Sequence, residues 1–217
     1  EMDCVYLIDS ARGGAENMAV DDALLNYAAL QQSAVLRIYR WSNPTVSLGY
    51  FQLVNDREGH PPSRSLDLVR RGTGGGAIVH HHEWTYSIAL PAALMAGNVG
   101  AAQPLYDCVH DAVVEWLLAQ GWPARKWTEI DNATAECNTE GCAFLCFERR
   151  SVGDVVIGDS KVMGSAQRRF RGGLLQHGSL LLSRSEFAPS LAGLAEIDRQ
   201  GSSAAPGRPD VEAFSNA

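Results

Sequence analysis

Arg70-Arg71-Gly72-Thr73-Gly74-Gly75-Gly76-Ala77-Ile78-Val79-His80 is the stretch on which the reading of this chain turns. An apolar run, Leu66-Asp67-Leu68-Val69, leads into it. Three consecutive glycines let the backbone adopt positive φ and approach a ligand closely at little steric cost. Gly72, Gly74 and Ala77 formally fit the dinucleotide fingerprint G-x-G-x-x-G/A, but that fingerprint has to open a helix. Here Ala77-Ile78-Val79-His80 and then Trp84-Thr85-Tyr86-Ser87-Ile88-Ala89-Leu90 are β-branched and aromatic and read as strand. No Lys-Ser/Thr pair closes the loop, so it is not a P-loop. The two arginines supply planar donors to an anionic or carbonyl-bearing group. The segment predicts a binding loop on a sheet, and a ligand-free tight hairpin is the plainer alternative.

Outward from the loop, periodicity supplies the elements. Asn17–Leu30 carries apolar residues at helical spacing, with Asn17 as a candidate cap. Ala34–Trp41 alternates as a strand, Ser42-Asn43-Pro44 turns, and Thr45–Tyr50 is a second strand. Asp56–Ser65 reads as loop, and Leu105–Leu118 as a helix with Tyr106, Val109, Val113, Trp116 and Leu117 on one face. Asp131–Gly141 has no periodicity and reads as loop. Asp154–Met163 predicts a hairpin turning at Gly158-Asp159, and Leu174–Leu182 a further strand. Adjacent hairpins with few crossover helices predict an α+β fold with a mixed, mostly antiparallel sheet. Residues 1–200 read as one domain, and the Ser-, Ala-, Gly- and Pro-rich stretch 201–217 as a poorly ordered tail.

Composition narrows the function classes. Hydrophobic residues make up 46% and charged residues 20% of the 217, ordinary values for a globular protein. No long apolar run or signal-peptide pattern is present, so the expectation is a cytoplasmic protein without membrane attachment. A formal net charge of −7 argues against general nucleic-acid binding. Seven of the 18 basic residues nevertheless fall in three clusters: Arg70-Arg71, Arg149-Arg150, and Arg168-Arg169 with Arg171. If these converge, they form a positive rim suited to an acidic partner. The five cysteines, without an export signal, are expected to be reduced thiols. Cys137-x4-Cys142-x3-Cys146 lacks paired zinc spacing, and neighbouring residues of His80-His81-His82 would face opposite ways on a strand, so no metal site is expected.

Cys146, in Phe144-Leu145-Cys146-Phe147, and Lys161, fifteen residues later, precede a second small-residue run, Gly164-Ser165-Ala166. A cysteine between phenylalanines is by default a small buried hydrophobe. The run after Lys161, however, again offers close backbone approach.

Taken in order, Asn17-Met18-Ala19-x-Asp21, Leu36-Arg37-x-Tyr39-x-Trp41, Ser47-Leu48-Gly49-Tyr50-Phe51-Gln52, the arginine–glycine loop, Lys161-Val162-x-Gly164-Ser165-Ala166-Gln167 and Gln176-His177-Gly178-Ser179 resemble the lipoate–protein ligase and octanoyltransferase family, relatives of the biotin–protein ligases. The resemblance runs from about Asn17 to Leu182 and implies the fold of class II aminoacyl-tRNA synthetases and biotin synthetases. It also implies an acyl tunnel lined by the glycine loop and the Lys161 segment. ATP-dependent ligases of the family carry an Asn-Asp pair upstream of the lysine, whereas here Gly153 precedes Asp154. The cysteine-dependent octanoyltransferases carry Cys-Phe-Asp/Glu fifteen residues before the lysine, as Cys146-Phe147-Glu148 does here.

The resemblance therefore implies transfer of an octanoyl group from acyl carrier protein, through a Cys146 thioester, to a lysine of a lipoyl domain of 2-oxoacid dehydrogenases or of glycine cleavage H protein, with no cofactor. Lys161 would be charge partner and oxyanion donor. Lys161, His80 and His177 are candidates to take the proton of the attacking amine, and the two histidines read equally well as core residues. Arg71, Thr73, Gly74, Gly75, Gly76, His80, Gly164, Ser165, Ala166 and His177 are the expected substrate-binding positions. Burying the acyl chain would supply roughly 5 kcal/mol at ~0.8 kcal/mol per methylene. ATP-dependent lipoate ligation and a non-catalytic acyl-binding module are the alternatives.

Overall fold

The computed structural model describes residues 4–95, 102–134, 143–170 and 172–197. Its frame is a seven-stranded sheet ordered β1-β2-β6-β10-β9-β8-β7 and a three-stranded sheet ordered β4-β3-β5. The strands are β1 (Cys4–Ile8), β2 (Ala34–Tyr39), β3 (Thr45–Leu48), β4 (Asp67–Arg70), β5 (Ile78–His80), β6 (Glu83–Pro91), β7 (Ala124–Lys126), β8 (Val155–Ile157), β9 (Ser160–Phe170) and β10 (Gly173–Leu181). Helices α1 (Gly14–Gln31) and α2 (Ala102–Ala119) cover opposite faces of the large sheet, and α3 (Glu129–Thr134) follows β7. Among the described strands β1–β2 and β3–β4 pair in parallel, and the other strand pairs are antiparallel. The expected mixed, mostly antiparallel α+β architecture is therefore what forms.

Strand alternation divides the two faces. Ile38, Trp84, Tyr86, Met163 and Leu180 pack with Val113, Trp116 and Leu117 of α2 and with Trp122 in the main apolar core. Val35, Ala89 and Leu175 face α1 through Leu25 and Ala28. The small sheet packs Val46, Leu48, Ala77 and Val79 against Leu145 and Ala188.

Several expectations need correction. Gly13, not Asn17, caps α1, and Glu16 reaches back to accept from the Gly13 amide at 3.3 Å. Asn17 lies one turn inside, where its amide donates to the carbonyls of Arg12 and Arg40. Asp131–Thr134 is helical rather than loop. Thr128 and Asp131 exchange side chain-to-backbone bonds at 2.8 and 3.3 Å, a capping box with Asp in the place usually held by Glu. The remainder of that stretch, and the tail 201–217, lie outside the described residues. The arginine–glycine loop is no tight hairpin, because β3 lies between β4 and β5 and the loop bridges across its end. β1 and β7 were not anticipated. The 158–159 turn between β8 and β9 stands where the sequence put it.

Candidate active site

Residues 71–77 run from β4 to β5 and are stitched to the segment before β8. The Ala77 amide donates to the Phe144 carbonyl at 2.9 Å, and the Cys146 amide donates to the Ala77 carbonyl at 2.8 Å. This parallel bridge carries Cys146 to the edge of the glycines. Gly75 has φ +88°, and a Cβ there would lie 3.8 Å from Cys146 Sγ. A Cβ at Gly76 would lie 3.0 Å from the Cys146 backbone. The triple glycine thus permits close approach between two protein segments as well as toward a ligand.

Cys146 is half-buried, and its Sγ stands 4.0 Å from Lys161 Nζ. Lys161 is buried on β9, where its ammonium pairs with Asp154 Oδ2 at 2.7 Å and donates to the Arg149 carbonyl at 3.2 Å. Asp154 also accepts from the Ser151 amide at 2.7 Å and from the Tyr106 hydroxyl at 3.1 Å. A cation held beside a thiol favours negative charge on sulfur and on an oxygen forming next to it.

Arg71 is fully buried and binds its own loop. Nη1 donates to the Ser47 carbonyl at 2.9 Å, and Nη2 donates to the carbonyls of Gly74 and Gly76 at 2.7 and 2.6 Å. Its Nε has no partner among the described residues, which leaves a donor for a carbonyl-bearing ligand. Burial pulls the Arg71 pKa down to about 10, against the opposing pull of Cys146.

The two histidines occupy separate polar chains. His80 bonds Glu83 through Nδ1 at 2.5 Å and Ser47 Oγ through Nε2 at 2.7 Å, and its ring stacks on Trp41 at 3.7 Å. Burial lowers its pKa, so the neutral imidazole is favoured. His177 links Thr73 of the loop, at 2.5 Å, to Asp21 of α1, at 3.6 Å. Asp21 further accepts from Arg37, Tyr39 and Ser87 at 2.8–2.9 Å. Burial works to raise the Asp21 pKa, but its contacts with His177, Ser87 and Arg37 outweigh that and hold it below the usual carboxylate value.

Between these chains and the loop lies a narrow crevice of about 10 Å³, lined by Met18, Trp41, Arg71, Ile78, His80 and His177 among others.

The second small-residue run splits between faces. By register Gly164 and Ala166 pair with Ser179 and His177, on the crevice side. The Ser165 hydroxyl points to the α2 side, 2.7 Å from both the Tyr86 hydroxyl and His110 Nε2. His110 Nδ1 donates to the Gly153 carbonyl at 2.6 Å, and burial lowers its pKa to about 4.

Sequence reasoning missed Asp21, Arg37, Glu83 and Asp154 as members of the site. The available signal was Asn17-x3-Asp21, two polar residues one turn apart on the buried stripe of α1. The cysteine-spaced metal reading involves Cys137 and Cys142, which lie outside the described residues. Cys4, Cys108 and Cys146 are free thiols. No described helix is long and apolar enough to cross a membrane.

Residues 14–203 match the family model described as the lipoyl protein ligase A/B catalytic domain. The chain belongs to that family. Octanoyltransferase LipM of Oceanobacillus iheyensis is 36% identical over 182 residues, covering 82% of this chain and 63% of the relative. Octanoyltransferase LipM of Kyrpidia tusciae is 34% identical over 180 residues, covering 81% and 65%. The chain thus spans somewhat less than two thirds of the length of these lipoyl ligase-family relatives. Among solved structures, a bipartite lipoate protein ligase of Thermoplasma acidophilum, described with its E2 lipoyl domain, superposes with TM-score 0.67 at 19% identity, covering 100% of this chain and 80% of that one. That likeness fixes the lipoate-ligase fold.

Proposed function

We propose that this lipoyl ligase-family chain transfers an octanoyl group from acyl carrier protein to a lysine of a lipoyl domain, through a thioester on Cys146. The observation that carries the reading is the Cys146 sulfur 4.0 Å from the buried Lys161 ammonium at the edge of the glycine loop. The LipM names of its relatives point the same way.

In the first step the Cys146 thiolate attacks the donor thioester carbonyl. The carrier's thiolate leaves and takes up a proton, and the octanoyl group remains on sulfur. In the second step the deprotonated lysine amine attacks, the amide forms, and Cys146 departs as thiolate. No external energy source is needed, because one thioester replaces another and an amide replaces the last. Lys161 stabilises charge on sulfur and on the tetrahedral oxygen. Arg71 Nε meets the acyl carbonyl, and Gly74, where a Cβ would have nothing within 4 Å, lets the acyl group lie close to backbone. His80 and His177 are both candidates to take the amine proton, each ring being held on both nitrogens, His80 by Glu83 and Ser47 and His177 by Asp21 and Thr73.

Intact-mass analysis after incubation with octanoyl-acyl carrier protein tests the reading. A single octanoyl adduct that disappears in Cys146→Ser is expected. No adduct, together with lipoyl-domain modification that requires ATP and free lipoate, would assign ligase chemistry instead.

A further inference from the structure

Four of the five residues 50–54, just after β3, are large, apolar and open to solvent: Tyr50 is 52% exposed, Phe51 85%, Leu53 68% and Val54 55%. Isolated exposed apolar residues need no explanation, but a contiguous patch of them beside a reactive centre marks an interaction surface. This segment is built onto the rim of the site. The Tyr50 amide donates to the Thr73 carbonyl of the glycine loop at 2.9 Å. Gln52 Nε2 donates to the Phe144 carbonyl at 3.3 Å, two residues before Cys146. Arg70 Nη1 braces the same turn by donating to the carbonyls of Gly49, Tyr50 and Gln52 at 2.7–3.0 Å.

Positive charge collects along this edge. The Arg168 guanidinium lies 5.8 Å from the Tyr50 ring centre and 4.3 Å from that of Phe170, and it rests against Gly72. Asp22 approaches it only to 3.9 Å. The Arg149 guanidinium rests against Gly76. The three arginine clusters converge only in part. Arg150 turns away to the Asp159 carbonyl and the Trp127 ring, and the alternation of β9 sends Arg169 to the opposite face from Arg168. What remains is an aromatic strip, Phe51-Tyr50 continuing to Phe170, threaded by Arg168 and flanked by Arg70 and Arg149, on a chain whose net charge is −7.

We infer that this strip is the docking surface for the acceptor, an acidic folded domain that carries the target lysine on its surface. The inference rests on the transferase reading for the identity of that acceptor. A lysine carries its amine on a short four-carbon stem, so the domain bearing it has to sit against the mouth of the site itself. The donor's thioester hangs on a long phosphopantetheine arm and leaves its carrier free to rest elsewhere. Aromatic side chains and arginine are the residue types that dominate interface energetics, and the arginines steer an acidic surface toward the mouth.

The test is the affinity of an unmodified lipoyl domain of a 2-oxoacid dehydrogenase for the wild-type chain and for two variants, Phe51→Ser and the double variant Phe51→Ser/Arg168→Glu. Acyl carrier protein is titrated in parallel. Loss of a central contact predicts affinity for the lipoyl domain weaker by about tenfold or more in the double variant, and by less in Phe51→Ser. Affinity for the carrier protein stays within about twofold, and added salt weakens the wild-type complex more than the variant's. Unchanged lipoyl-domain affinity in both variants overturns the inference, as does an equal loss for the carrier protein. Binding is read without chemistry, so a failure to form the Cys146 adduct would count against the transferase reading alone.

Discussion

The same strands build two unlike faces of the large sheet. Toward α2, β6 and β10 present Trp84, Tyr86, Ile88 and Leu180 to an apolar core that holds Trp116 and Trp122. Toward α1 and the glycine loop they present Thr85, Ser87, His177 and Ser179, tied to Asp21 and Glu83. One face holds the strands in register, and the other spends part of that stability on buried charges that fix Thr73, His177 and Arg37 in place. The contrast teaches that the site is carried on a sheet whose rigidity is generated on its far side.

The largest effect expected is chemical. Cys146→Ala should lower octanoyl transfer by about 10³-fold or more while leaving the melting temperature unchanged, because the side chain is half-buried and belongs to neither core. Parallel loss of stability and transfer would mean that the residue is structural. Next in size, Trp122→Ala empties the core under α2 and should cost about 3–5 kcal/mol by denaturant titration, with the transfer rate of the molecules that remain folded nearly unchanged. Asp21→Asn on the other face should cost about 3 kcal/mol, because the Arg37 guanidinium loses a buried partner, and should also slow transfer by releasing His177. If the two variants affect transfer per folded molecule equally, the distinction between the faces fails.

A pH effect of similar size comes from the α2 side. His110 is kept neutral by burial, with its pKa lowered from 6.5 to about 4. The unfolded chain therefore binds this proton first as pH falls, and stability drops between pH 6.5 and about 4 by up to roughly 3 kcal/mol. Above pH 6.5 the contribution is complete. His110→Gln should flatten part of that slope, and buried His80 adds to the remainder. Smallest of all, Thr73→Val removes the hydroxyl that His177 Nε2 bonds and should cost about 1–2 kcal/mol.

Much of the architecture was legible in the chain. The β8–β9 turn, β10 and the helical stripe of α2 follow from periodicity and turn residues, which are local. Ordered motifs marked the glycine loop, Cys146 and Lys161 as candidates, and the folded chain brings these segments together. The ion network was only partly legible. Asn17-x3-Asp21 marks a polar pair on the buried stripe of α1, but Arg37 and Asp154 read as ordinary surface charges until the fold removes their solvent. β1 and β7 escaped because strands of five and three residues gain their pairing from neighbours, not from their own pattern. α3 escaped because its start is signalled by Asp131, in a box more often closed by Glu.

The strand order also governs how the molecule is made. β10 fills the gap between β6 and β9, so β6 has no neighbour on that flank until residue 181 has left the ribosome. Up to that point a nascent chain carries an open sheet edge, the kind of intermediate that chaperones shield from aggregation. Synthesis thus leaves the centre of the large sheet unpaired until β10 arrives.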